Sequence, residues 1–249
     1  MTPTAASLPP ADGGLAELAA RHRLQPDQTA ALGRYVDLLC AWPRANVTGL
    51  RDRSAVVTTL IGDSLALRGA LPLGWDAPAP WLDLGSGGGI PGIPLAVALD
   101  DIRVTLLDSV AKKCAFLEEA VRAAGLEGRA EVVCARSEVF AAAGSAGREA
   151  HAVVLARAVA PLAALVELAS PLLAPGGVLV ASKTWAALRE EAPAAAATAA
   201  RCGVLAEPPV PLPLSPLEDA VAAMYRKVGA TPAGLPRRPG LAAKRPLAR

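Results

Sequence analysis

The spacing of apolar positions changes once along the chain. From Leu15 to about residue 71 they recur at helical intervals, which predicts a helix from Leu15 to His22 and a second from Asp27 to Trp42, with Leu32, Tyr35, Val36, Leu39 and Cys40 on one face. Pro26 can open the second helix and Pro43 stops it. A polar loop over 46–52 precedes a third predicted helix, Val56 to Leu71, whose apolar run is broken by Gly62-Asp63-Ser64. Asp63 there belongs to a solvated face or faces a cleft. From Trp81 onward short apolar runs alternate with helical stretches. Strands are predicted over about 81–84, 103–108, 130–135, 152–157 and 178–183, and helices over about 92–99, 110–124, 136–143, 161–174 and 186–202. Pro175-Gly-Gly177 is the turn before the fifth strand, and runs at 204–210 and 221–228 add an antiparallel hairpin at the edge. The expectation is an α/β fold, a seven-stranded Rossmann-like sheet with helices on both faces behind an N-terminal helical cap. The boundaries read as a disordered Ala- and Pro-rich segment (1–13), the cap (14–75), the sheet domain (76–229) and a disordered basic tail (230–249).

The stretch Trp81 to Leu95 organises the rest. A strand ends on Asp83, four glycines follow within five residues (Gly85 to Gly89, broken only by Ser86), and a helix begins among prolines. So many glycines let the backbone turn tightly and approach a ligand without an intervening Cβ. A purely structural turn is the alternative. Gly87-x-Gly89-x-x-Gly92 fits the dinucleotide fingerprint, with Asp108 about 20 residues on where a ribose-binding acid is expected. In that fingerprint, however, the first glycine closes the strand, whereas here Asp83 would aim a negative charge at a pyrophosphate. A carboxylate in that place suits a cationic ligand end such as the amino group of S-adenosylmethionine, with Asp108 taking both ribose hydroxyls. Ligands of such sheets bind at the C-terminal strand ends, here occupied by Asp83 to Gly85, Asp108, Arg136-Ser137-Glu138, Arg157 and Lys183. Arg157 and Lys183 are the positioning candidates, and Arg157 has a second reading as a structural ion-pair partner.

Composition narrows the classes. Of 249 residues 53% are hydrophobic, much of that alanine, and no apolar run approaches the roughly 18 residues of a membrane span. The N-terminus carries no basic segment with an apolar run behind it, so the expectation is a cytoplasmic protein with no membrane partner. Cys40, Cys114, Cys134 and Cys202 are widely spaced and read as buried thiols. With His22 and His151 as the only histidines, neither a metal site nor a histidine-based triad is expected. The net charge of +2 hides an asymmetry: seven basic residues and no acidic one follow Asp219, leaving 18 basic against 23 acidic residues in the first 219. Such a tail points to a nucleic-acid partner or to a solvated segment with none.

Several stretches together resemble one family, the bacterial small-subunit rRNA guanine-N7 methyltransferases, also called glucose-inhibited division protein B. They are Tyr35-Val-Asp-Leu-Leu-Cys-Ala-Trp42, Asn46-Val-Thr48 with Arg51-Asp52, Asp63-Ser64, the loop from Asp83 to Pro94 with both its prolines, Leu107-Asp-Ser109 with Lys112-Lys113, and Ala156-Arg-Ala158. Leu235-Pro-Arg-Arg-Pro-Gly240 is similar to the basic tail of some members. One position departs: Leu60 stands where members usually carry histidine. The resemblance implies a methyltransferase domain over 76–229, S-adenosylmethionine as cofactor, and a pocket lined by Gly85, Ile90, Ser137, Glu138 and Arg157, to which the residue reading adds Asp83, Gly87, Gly89 and Asp108. It implies methyl transfer to N7 of a guanine in 16S rRNA, with the RNA, the small subunit or an assembly intermediate as partner of a monomeric enzyme. Candidate RNA contacts are Asn46, Thr48, Arg51, Lys112, Lys113, Arg237, Arg238, Lys244 and Arg245. Guanine N7 is an unprotonated acceptor, so the transfer needs no general base. A nicotinamide-dependent dehydrogenase and a non-catalytic RNA-associated module stay open as alternatives. So does a tail in which Leu235-Pro236 folds back over the sheet edge as a strap.

Overall fold

The computed structural model describes residues 14–43, 47–71 and 80–248. The expectations for residues 1–13, Asn46 and the boundary at 75/76 lie outside the described residues. Seven strands form one sheet: β1 (Trp81–Leu84), β2 (Val104–Asp108), β3 (Ala130–Cys134), β4 (His151–Arg157), β5 (Leu173–Thr184), β6 (Val204–Pro211) and β7 (Ala220–Lys227). Their order is β3-β2-β1-β4-β5-β7-β6. The first five pair in parallel, and β7 slots antiparallel between β5 and β6. The predicted hairpin is therefore present, with its second strand inside its first.

Strands β1, β2 and β4 are apolar almost throughout because both faces of a parallel sheet are covered. Alternate side chains go to opposite cores. Trp81, Val153, Leu155, Val178 and Val180 pack with the N-terminal cap, whereas Leu82, Val154, Leu179 and Val221 pack on the other face. That second face is covered by α8 (Leu162–Ala169) and α9 (Trp185–Cys202), and the first by α5 (Gly92–Ala98) and α6 (Ala111–Ala123), while the short α7 (Ser137–Phe140) follows β3.

The cap comprises α1 (Leu15–His22), α2 (Pro26–Ala41), α3 (Arg53–Ala55) and α4 (Gly62–Ala66). Pro26 takes the first helical position of α2, where its missing N–H costs nothing, and Gln28 accepts the backbone N–H of Gln25. Leu32, Tyr35, Val36 and Leu39 are fully buried from this helix, each worth about 1.5–3 kcal/mol in transfer from water. The third predicted helix is not uniform. Four β-branched residues in a row, Val56 to Thr59, crowd the turn before them, and the segment opens into a π turn over Val56–Ile61 before α4 and a final 3-10 turn over Leu67–Ala70.

Three further boundaries differ. Helix α8 ends at Ala169 because Pro171 has no N–H for the Glu167 carbonyl, to which the Ser170 hydroxyl donates instead (3.3 Å). Pro175-Gly-Gly177 is a bulge inside β5 rather than a turn before it: His151 pairs with Leu173 and Val153 with Val178, so residues 174–177 loop out opposite Ala152. Helix α7 stops after four residues. The thiols also differ from expectation, since Cys114 and Cys202 are buried but Cys40 is half-buried and Cys134 exposed.

The largest correction is the tail. Residues expected to be disordered are folded as a strap against α8, with Leu235 and Ala242 buried and a short helix α10 (Leu241–Lys244). Arg237 forks onto the buried carboxylate of Glu167, Nε and Nη2 each 2.6 Å from an oxygen. The strap's root is tied by Glu149, which accepts from the N–H and hydroxyl of Thr231 (2.8 and 2.6 Å). Those two bonds, helped by Lys227, hold its carboxyl down at about 2. Charge read from sequence as free is partly spent on neutralising buried acids.

Candidate active site

In the strand order, the chain reverses direction between β1 and β4, which is where ligands bind in such sheets. A cavity of about 320 Å³ opens there at the strand tips, walled by Gly85, Asp108, Ser109, Lys113, Ser137, Glu138 and Val159 among others. Gly85 leaves β1 at φ +70, and a Cβ on it would stand 3.0 Å from Val159. Val159 is turned towards it by Ala158, whose φ of +54 costs an L-residue roughly 1–2 kcal/mol. The loop closes through Gly85 and Ser86, whose N–H groups both donate to the Leu107 carbonyl (2.8 and 3.0 Å).

Asp108 ends β2 with its carboxylate fixed at both oxygens. Oδ2 accepts the N–H of Gly87 (3.0 Å) and Oδ1 that of Val110 (2.9 Å), with Lys113 Nζ 4.0 Å away. Each oxygen keeps an acceptor site, so the pair is set to receive two adjacent hydroxyls. On the next strand tip, Glu138 takes the Ser137 hydroxyl on Oε2 (3.1 Å) and the Gly240 N–H on Oε1 (2.7 Å).

Other predicted site residues stand elsewhere. Asp83 is not on the cavity wall: it is wholly buried behind the glycine loop, where Oδ2 accepts the Gly92 N–H (3.0 Å). A Cβ on Gly92 would fall 2.7 Å from that oxygen, so the close approach requires glycine. Burial, with Asp108 adding to it, pushes the Asp83 carboxyl up to about 7 against the opposing Gly92 and Ser86 bonds. Asp83, expected to meet a cationic ligand end, stands off the cavity wall and supports the loop. Gly87 reaches the site through its N–H to Asp108, whereas Gly89 packs on Ile93 and neither it nor Ile90 lines the cavity.

Arg157 and Lys183 are at their strand tips but are committed to acids. Arg157 Nε donates to Asp63 (2.8 Å), and Asp63 also accepts from the hydroxyls of Ser182 (3.3 Å) and Ser215 (2.8 Å). Lys183 Nζ donates to Glu191 (2.7 Å). Arg157 makes the ion pair of its second reading. Leu60 is buried among apolar neighbours of the cap. Of the RNA candidates, Thr48 caps the Leu50 N–H (3.1 Å), Arg51 donates to the Trp42 carbonyl (3.0 Å), and Arg237 is held by Glu167. Lys113 lines the cavity, and Lys112, Arg238, Lys244 and Arg245 are exposed. Sequence reasoning missed Val159, Gly240 and Ala243 on the cavity wall; nothing in their residue types marks them.

Residues 28–206 match the family described as rRNA small subunit methyltransferase G (GidB). The chain belongs to this family. A ribosomal RNA small subunit methyltransferase G of Roseiflexus castenholzii is 41% identical over 228 residues, 90% of this chain and 94% of its own. Its namesake from Rubrobacter xylanophilus is 39% identical over 89% of this chain and 84% of its own. Among solved structures, the mitomycin 7-O-methyltransferase MmcR superposes with a TM-score of 0.54 at 15% identity, over 88% of this chain and 74% of that one. Atu636 of Agrobacterium tumefaciens, described as a predicted O-methyltransferase, gives 0.51 at 20% identity, over 66% and 80%. These two carry the fold alone.

As a GidB-family member the chain is an rRNA methyltransferase that uses S-adenosylmethionine. The dehydrogenase and binding-module alternatives find no support. The site fits that cofactor on its own geometry: the cavity lies within the ~300–1,000 Å³ of small-molecule sites, a doubly anchored carboxylate faces it from β2, and Gly85 opens the loop backbone to it. Among the described residues no helix is long and apolar enough to cross a membrane.

Proposed function

We propose that this GidB-family enzyme transfers the methyl group of S-adenosylmethionine to N7 of a guanine in 16S rRNA, working as a monomer in the cytoplasm on the RNA within the small subunit or an assembly intermediate. The observation that carries the reading is the state of the charged groups at the strand tips. Arg157 and Lys183 are each held by an acid, and Asp108 and Glu138 each by two donors. Such fixed groups bind and orient; they are poorly placed to shuttle protons. Guanine N7 suits them, because it carries a lone pair and no proton in neutral RNA.

When bound, S-adenosylmethionine would supply a methyl group on a sulfonium sulfur, which takes the C–S bonding pair and leaves as a neutral thioether. The chain's contribution is placement. Asp108 holds the ribose, the Gly85 backbone allows close approach, and Val159 closes the opposite wall. Holding two reactants in near-attack geometry supplies roughly 7–11 kcal/mol of the barrier reduction. A guanine within folded RNA must be unstacked to reach the crevice, at a cost of a few kcal/mol. The exposed cations Lys112, Arg238, Lys244 and Arg245 are free to contact phosphates, which favours the RNA over a small acceptor.

The test is transfer of labelled methyl from S-adenosylmethionine to purified 16S rRNA and to small subunits, followed by digestion to nucleosides. Label in 7-methylguanosine is the expected result; label in an exocyclic amine, a pyrimidine carbon or a ribose hydroxyl contradicts the proposal.

A further inference from the structure

The C-terminal strap does more than cover α8, because it also reaches the cavity. Gly240 and Ala243 are part of its wall, on the side of the β3 tip. Gly240, at φ +77, directs its N–H at Glu138 Oε1 (2.7 Å), so one of the two bonds that orient this nearly buried carboxylate comes from the strap. The strap is held in place independently of any ligand. Arg237 forks onto Glu167, the Leu247 N–H donates to the same carboxylate (3.2 Å), Arg148 donates to the Leu235 carbonyl (3.0 Å), and Arg201 donates to the Leu247 carbonyl (2.6 Å). Ala242, the buried residue of α10, fixes the register that leaves Ala243 outward at the cavity.

We propose that Gly240 and Ala243 are cofactor-site residues: the strap forms the adenosine-side wall of the S-adenosylmethionine site, and the Gly240 N–H sets the Glu138 carboxylate to receive the exocyclic amine of adenine. This rests on the reading of the cavity as the cofactor site. The chemistry is directional. With Asp108 taking the ribose hydroxyls at the tip of β2, the base lies towards the neighbouring tip of β3, where Glu138 stands. Glu138 is an acceptor with one site filled on each oxygen and one left, matched to an N–H₂ donor. Ala243 has a small side chain where the wall needs space, and being exposed it can be enlarged without disturbing the core.

Calorimetric titration of S-adenosylmethionine into the full chain, an Ala243→Phe variant, a chain ending at Thr231 and an Asp108→Asn variant tests this, with melting curves on each. The proposal expects Ala243→Phe to weaken binding by at least about tenfold at an unchanged melting temperature, and the shortened chain, if folded, to lose at least as much binding at a lower melting temperature. Ala243→Phe keeps the test decisive if the shortened chain unfolds. Binding within about threefold of the full chain in Ala243→Phe, alongside clear loss in Asp108→Asn, overturns the role of the strap while leaving the cavity as the cofactor site. Undiminished binding in Asp108→Asn overturns the cavity reading and this inference with it.

Discussion

Arg157, at the tip of β4, reaches 2.8 Å to the carboxylate of Asp63 in α4, a residue 94 positions earlier in the chain. Asp63 is completely buried and accepts two serine hydroxyls as well, one from β5 and one from the loop before β7. This ion pair joins the helical cap to the sheet beside the cofactor cavity, so the cap's position and the geometry of the strand tips are set together.

Removing one partner strands the other. Asp63→Ala is expected to destabilise the protein by roughly 3–5 kcal/mol, the usual loss when a buried pair is broken from one side. Urea unfolding measures it. A loss under about 1 kcal/mol, the worth of an exposed pair, would mean that Arg157 finds water instead.

Asp83 sets a pH dependence of unusual sign for an acid. Its carboxyl stands at about 7 in the folded chain against 3.8 as the ordinary value, because burial disfavours the charge. Its stabilising contribution is full below the ordinary value and is lost as pH rises through about 7, with a slope of at most about 1.4 kcal/mol per unit. The stability difference between the natural chain and Asp83→Asn should therefore fall steadily from pH 4 to 7 and level off above. A difference that is flat with pH contradicts the burial argument. Cofactor affinity should stay within about threefold in this variant, because the side chain lies behind the loop and the amide oxygen can still accept from Gly92.

The basic strap divides into structural and exposed cations. Arg237→Ala leaves Glu167 buried without its fork and should cost roughly 3–5 kcal/mol. Arg238→Ala and Lys244→Ala should change stability by no more than about 0.5 kcal/mol. In RNA binding the pattern reverses: each exposed cation that contacts a phosphate should lower the slope of log affinity against log salt by roughly 0.7–0.9. Unchanged salt slopes in both surface variants would remove the strap from the RNA interface.

What could be read from sequence follows from how local each signal is. Strands β1, β2, β4 and the core of β5 are legible because each is a largely apolar run bounded by Gly, Pro or charged residues, and Asp108 because it ends such a run about 20 residues after the glycine loop. The fates of Arg157, Lys183 and Arg237 were not visible. Arg157 meets Asp63 across 94 positions and Arg237 meets Glu167 across 70, and a single sequence shows a charge but not its distant partner. Asp83 shows a related limit: a carboxylate at a strand end can face a ligand or support the loop from behind, and the sequence does not show the Gly92 contact that gives it the supporting role. The tail reads as disordered because its prolines and cations outweigh its apolar residues, and its distant ties to Glu149, Glu167, Arg148 and Arg201, with Leu235 and Ala242 buried, leave no local signal.

The most direct test of the account is a map of methylated bases along 16S rRNA after incubation of unmodified small subunits with S-adenosylmethionine and either the natural chain or Asp108→Asn. The account predicts one guanine methylated at N7 by the natural chain, and a rate at limiting cofactor reduced by roughly 10- to 150-fold in the variant, the equivalent of losing about 1.5–3 kcal/mol of charge-assisted hydrogen bonding. Equal methylation by both proteins would show that the cavity at the tips of β1, β2 and β3 is not the cofactor site, and methyl groups on any atom other than guanine N7 would contradict the proposed reaction.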